Sequence, residues 1–172
     1  MKNLFTAFLS MFIIACSTPE KNANSKIEIY DDSVLDIIDI YSEIEELADS
    51  ISLPEGPVWD EASQSLLFVD VMGNKLYKWN ENDGTSEYIS PSGNTGYAPN
   101  VDFGLLGANG LLIDENGDII LCQHGDRRLA KINNSSTNSP SFTTLVDNYE
   151  GGRFNSPNAV SYTHLRAHET CP

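Results

Sequence analysis

The body of this chain is one unit written twice. Glu55-Gly56-Pro57-Val58-Trp59-Asp60 lies over Asn109-Gly110-Leu111-Leu112-Ile113-Asp114. The apolar run Leu66-Leu67-Phe68-Val69 then falls on Ile119-Ile120-Leu121-Cys122, with one residue fewer in the second turn. Lys75-Leu76-Tyr77-Lys78-Trp79 falls on Arg128-Leu129-Ala130-Lys131-Ile132, and a third copy opens at Pro157-Asn158-Ala159-Val160. The copies are spaced by about 50 residues, and each divides into short apolar runs separated by turn residues. Strands are expected at Gly56–Trp59, Ser65–Asp70, Lys75–Asn80 and Glu87–Ser90, then at Gly110–Ile113, Ile119–Gln123, Arg128–Asn133 and Phe142–Val146. Met72-Gly73-Asn74 and Asn82-Asp83-Gly84 have the composition of turns between them. No long amphipathic helix interrupts either set. Four strands repeated at this spacing are the mark of propeller blades. The fold class is therefore all-β: about two four-stranded blades and the first strand of a third over residues 53–160.

The segments before the repeat read differently. Lys2 precedes an apolar run from Leu4 to Ala15 that is too short to span a bilayer, which takes roughly 20 residues. It ends in Ile13-Ile14-Ala15-Cys16, similar to the bacterial lipobox, in which the cysteine is diacylated and becomes the mature N-terminus. A plain signal peptide with an incidental cysteine is the alternative. Residues 1–16 are thus expected to direct export, with Cys16 as the lipidation site. Residues 17–52 form a polar tether and an N-terminal segment, in which Asp32 or Ser33 caps a short helix through Tyr41. Ile44 to Ile51 is expected to be extended. The domain would work in the bacterial cell envelope, on the periplasmic or outer side, touching the membrane only through its lipid.

With 25 acidic and 10 basic residues the net charge is −15, which repels phosphate and argues against nucleic acid as a partner. Cys122 lies in an apolar strand and reads as a small core residue. Asp126, Arg127 and Arg128 read as a solvated turn with local ion pairs, and Asp70 and Asp147 as turn formers at strand ends.

The repeat also points to a site. The innermost strand of each blade lines the central channel, so equivalent entry turns converge at one mouth. Here those positions hold Glu55, Asn109 and Asn158, hard oxygen donors suited to Ca²⁺, Mg²⁺ or Mn²⁺. The same asparagines could instead serve only their tight turns. His124 could line the pocket or act as a base, although a histidine before a glycine in a turn is more often structural.

Five blocks in order carry a resemblance: Glu55-Gly56-Pro57-Val58-Trp59, the Pro91-to-Gly96 loop, Ala108-Asn109-Gly110-Leu111, Cys122-to-Arg128, and Arg153-Phe154-Asn155-Ser156-Pro157-Asn158. They resemble the senescence-marker-protein/gluconolactonase/luciferin-regenerating-enzyme family, in its bacterial gluconolactonase-like branch. The resemblance implies a six-bladed propeller with one divalent ion at the channel mouth, Ca²⁺ first, with Mg²⁺, Mn²⁺ or Zn²⁺ as alternatives. It implies Glu55 as a metal ligand and Asn158 as a contact to substrate or to metal-bound water. Asn109, in the equivalent turn, is assigned to the same substrate-binding pocket, and Arg153 either binds substrate oxygens or makes a structural salt bridge. The resemblance further implies hydrolysis of a lactone, sugar lactones foremost. The family's remaining ligands and its general-base aspartate belong to later blades. A lipid-anchored propeller that binds a ligand or protein without chemistry is the competing function. After Val160, residues 161–172 resemble translated adapter sequence, so the chain is expected to be an N-terminal piece, inactive alone.

Overall fold

The computed structural model describes residues 27–99, 106–134 and 139–161. The expected signal run, Cys16 and nearly all of the 161–172 tail lie outside them. The chain divides into two compact units after Glu45. In the first, a five-residue 3-10 helix covers Asp32–Asp36, capped by Asp31, whose carboxylate accepts the Ser33 N–H at 2.9 Å. The helix is shorter than the segment to Tyr41 expected for it, and its cap is Asp31 rather than Asp32 or Ser33. A second carboxylate interrupts it: Asp39 accepts the N–H of Tyr41 at 2.9 Å, a local bond that replaces a helical one.

The second unit is all-β. Strands β1 (Pro54–Asp60), β2 (Ser65–Asp70), β3 (Lys75–Asn80) and β4 (Gly84–Ile89) form one antiparallel sheet in sequence order. Strands β5 (Ala108–Ile113), β6 (Ile119–Gln123), β7 (Arg128–Asn134) and β8 (Ser141–Val146) form a second with the same order. All eight sequence-predicted strands are present, three of them with the predicted bounds. A two-stranded ribbon, β9 (Asn148–Tyr149) with β10 (Gly152–Arg153), was not legible in the sequence. Its strands are too short to show alternation.

The two sheets share irregularities as well as order. The inner pair shifts register between Glu55 and Val58 in the first sheet and between Ala108 and Leu111 in the second. The outer pair shifts at Leu76/Tyr77 and again at Leu129/Ala130. Bulges bend a strand at a chosen place, so their recurrence identifies one architectural unit used twice.

Alternation along the strands supplies the core. Leu67, Val69, Leu76 and Ile89 of the first sheet meet Ala108, Leu111 and Leu121 of the second, all at most 8% exposed. Burying each large aliphatic side chain stabilises by roughly 1.5–3 kcal/mol. Glycine sets how closely the sheets approach. Gly56 has φ +54, and a Cβ there would run into the carbonyl oxygen of Asn109 and come within 3.1 Å of the Gly110 Cα. A Cβ on Gly110 would in turn lie 2.8 Å from the Asn158 carbonyl oxygen and 3.1 Å from the Ala159 Cα. The chain at 158–159 therefore stands against β5 as β5 stands against β1, although no ladder is formed there.

The connector between the sheets is held at both ends. Asn74, in the β2–β3 turn, accepts the N–H groups of Ser92, Gly93 and Asn94 on its Oδ1 at 2.9–3.2 Å. Asp126, in the β6–β7 turn, accepts the N–H of Thr95 at 3.0 Å and the Thr95 hydroxyl at 2.5 Å.

Candidate functional site

Register places the site. Pro54 pairs with Asp70 and Asp70 with Lys75, while Ala108 pairs with Gln123 and Gln123 with Arg128. The starts of β1 and β5, the β2–β3 and β6–β7 turns and the chain leaving β4 and β8 therefore share one end of the sheets. Glu55, Asn109, His124 and Arg153 all belong to that end.

Glu55 is exposed near the start of β1. It borders a groove of about 330 Å³ whose lining includes Ser50, Pro54, Leu66 and Phe68. Leu66 and Phe68 alternate with the core residues Leu67 and Val69, so the groove lies on the face that looks away from the second sheet. Asn109 is 7% exposed within β5. Asn158 is exposed, with its carbonyl against Gly110. The three sequence-predicted positions stand at the same station of successive inner segments, but no hydrogen bond joins their side chains among the described residues. Nor do the described residues include a group of three or more His, Cys, Asp or Glu placed to hold a metal.

Arg153 is exposed at the end of β10, its guanidinium 5.4 Å from the Tyr97 ring centre and its Nη1 3.5 Å from the Asp126 carbonyl oxygen. Tyr97 carries the Arg128 guanidinium at 3.9 Å and donates its hydroxyl to Asp147 at 2.6 Å. That bond leads the interactions that hold the Asp147 carboxyl below the usual carboxylate range. The arginine expected to bind substrate is thus stacked on a tyrosine that the sequence did not single out.

The turn read from sequence as solvated is a buried network instead. Asp126 is fully buried and Arg128 is 5% exposed. Arg128 donates to Gln123 at 2.6 Å, to Thr144 at 2.7 Å and to Asp126 at 3.3 Å. Burial pulls its pKa below the usual arginine value, with Asp126 opposing, yet an arginine so placed stays charged at neutral pH. Gln123 also donates to the Ser92 carbonyl at 2.8 Å. The signal in the sequence was weak: a polar Gln123 ends β6 where Asp70 ends β2. Asp70 does the corresponding work, accepting the Ser52 and Leu53 N–H groups at 3.2 and 3.1 Å. Burial alone would raise its pKa, but the N–H donors of Gly73, Ser52, Leu53 and Met72 together hold it below the ordinary carboxylate value. Burial lowers the His124 pKa, so the imidazole is neutral at pH 7, and its Nδ1 is covered without a partner.

Two four-stranded antiparallel sheets, stacked at their inner strands through equivalent glycines and joined by connectors crossing one end, define consecutive blades of a β-propeller. The chain belongs to the SMP-30/Gluconolactonase/LRE-like family, which it matches over residues 53–163. It is similar to the gluconolactonase of Zymomonas mobilis, with 35% identity over 127 residues, covering 74% of this chain and 35% of that protein. A shorter stretch of 26 residues is 65% identical to rabbit regucalcin, covering 15% of this chain and 9% of that protein. Among solved structures, a gluconolactonase of Xanthomonas campestris superposes with a TM-score of 0.53 at 26% identity, covering 66% of this chain and 32% of that one. A structural-genomics gluconolactonase candidate superposes with the same TM-score at 28% identity, covering 68% and 35%. The chain thus spans about a third of the length of its long-matching relatives.

Proposed function

We propose that the protein to which these residues belong hydrolyses a lactone, a sugar lactone foremost, at the mouth of a closed propeller. The observation that carries the reading is the row formed by Glu55, Asn109 and Asn158 at one station of three successive inner segments. Gluconolactonases among the relatives support the substrate class.

A carboxylate and two amides are a hard-oxygen set that fits a divalent cation, Ca²⁺ before Mg²⁺, Mn²⁺ or Zn²⁺, although the set is incomplete. Glu55 would be the metal ligand from these residues. A bound cation would polarise the ester carbonyl and acidify a water. Asn158 and Asn109 orient the lactone through amide hydrogen bonds. Arg153, stacked on Tyr97, presents N–H donors to the substrate's oxygens. His124, neutral and partly buried, is the available but weaker candidate for proton transfer. The described residues hold one carboxylate of the set and no closed ring, so the reading assigns turnover to the closed propeller and none to the described blades alone. The export reading is part of the proposal: Cys16 carries diacylglycerol and tethers the domain to the cell envelope.

The test is turnover by the full-length protein on a panel of aldonolactones, with and without chelator. Chelation should stop the reaction, and Glu55→Gln should slow it at least a hundredfold. If no lactone is turned over with or without metal, the lipid-anchored, non-catalytic binding propeller takes its place.

A further inference from the structure

The β6–β7 turn, residues 124–127, corresponds in length and position to the β2–β3 turn, residues 71–74, and both lead into a basic residue, Arg128 or Lys75. Their closing residues share a left-handed backbone, φ 55 at Asn74 and φ 56 at Arg127. Asparagine tolerates that region, whereas an arginine there is strained. Asn74 also has a structural task at this station, holding the connector through Ser92, Gly93 and Asn94. Arg127 has none. Among the described residues its guanidinium makes no hydrogen bond or ion pair, and its Nε is covered without a partner. The same is true of the Nδ1 of His124, at the other end of the turn, which closes through the Arg127 N–H on the His124 carbonyl at 3.3 Å. In the first sheet the position of His124 is held by the fully buried Val71.

The neighbouring arginine sharpens the contrast. Arg128 spends its nitrogens on Gln123, Thr144 and Asp126. Among the described residues Arg127 keeps an unpaired donor fork, at the same end of the sheets as Asn109 and Arg153. Packing accounts for neither the strained arginine nor the unpaired imidazole nitrogen.

We propose that Arg127 and His124 form an oxyanion-binding subsite that takes the carboxylate of a sugar acid. The ligand class rests on the lactone reading, whose product is a hydroxycarboxylate. The Nε–Nη edge of a guanidinium matches a carboxylate with two parallel N–H donors, and the imidazole Nδ1 supplies a third bond from across the turn. Arg127 as a residue is only partly buried, and the subsite requires its guanidinium to turn so that the covered Nε–H meets the ligand. One free guanidinium in a chain of net charge −15 suits a monoanion better than a phosphate.

The experiment is a titration of the full-length protein, labelled with ¹³C in its histidine rings, with sodium gluconate, and with glucitol as the uncharged control. The His124 ring signal should shift saturably with gluconate and stay in place with glucitol. Arg127→Asn puts the residue of the equivalent turn at the strained station. It should weaken gluconate at least tenfold while the Tm holds or rises. A gluconate affinity within twofold of the parent in that variant, or a His124 signal that gluconate does not move, overturns the subsite. Lactone turnover without any gluconate response leaves the hydrolytic reading intact and sinks the subsite. Gluconate binding at His124 without turnover of any lactone does the reverse.

Discussion

The carbonyl oxygen of Asn109 occupies the space where a Cβ on Gly56 would have to be. Position 56 also has φ +54, so two separate requirements, handedness and clearance, demand the same residue. Gly56→Ala should cost about 2–4 kcal/mol, because left-handed strain and a forced shift of β5 act together. Gly84→Ala is the control, since φ is +70 there but nothing lies within 4 Å of the added carbon. It should cost only about 1–2 kcal/mol. Urea unfolding of the two variants would show it. Equal losses would mean that sheet contact contributes nothing at Gly56.

Asp126 and Arg128 are buried together, with side chains 0% and 6% exposed. Asp126→Asn should leave Arg128 charged and underpaired and release Thr95 from the connector. The expected loss is about 3–5 kcal/mol in the unfolding free energy read from urea titration, typical of breaking one side of a buried pair. A loss under about 1 kcal/mol would show that the turn is solvated after all.

These two cases mark what the sequence made legible. Gly56 and Gly110 stood in corresponding motifs, and the sheets they join were predicted strand by strand, because apolar alternation and turn composition are local signals. Asp126 was misjudged because a charged turn residue looks alike whether wet or buried. Its burial depends on Thr95 and Tyr97, about 30 residues earlier in the chain. The shared station of Glu55, Asn109 and Asn158 was legible through the repeat alone. Tyr97 under Arg153 escaped because no copy of it exists in the other unit.

Asp70 gives the fold an acid limit. Its carboxyl sits below the ordinary value in the folded chain, so deprotonation favours folding. That contribution is complete above about pH 4 and is lost as the pH falls through the lowered value. Asp70→Asn should therefore reduce stability at pH 7 and flatten its decline below about pH 4. A parallel downward displacement at every pH would argue that Asp70 acts by shape alone.

Burial pushes the Cys122 thiol up to about 11. In the folded protein Cys122 should therefore resist thiol reagents at pH 8 and react fully once denatured. Rapid native labelling at that position would mean that β6 opens far more readily than its burial indicates.

The export reading is tested by fractionation. Cys16→Ser should release the domain from membranes or leave it unprocessed. A parent protein that is soluble and carries no lipid by mass spectrometry would exclude the anchor.

The connector from Ser92 to Thr95 is gripped by Asn74 on one side and Asp126 on the other, so this joint is divided between the two sheets. The first sheet supplies one grip and the second sheet the other, and neither turn carries both residues. Opening either blade therefore leaves the connector with only half of its bonds, which couples the unfolding of one blade to the loosening of the next.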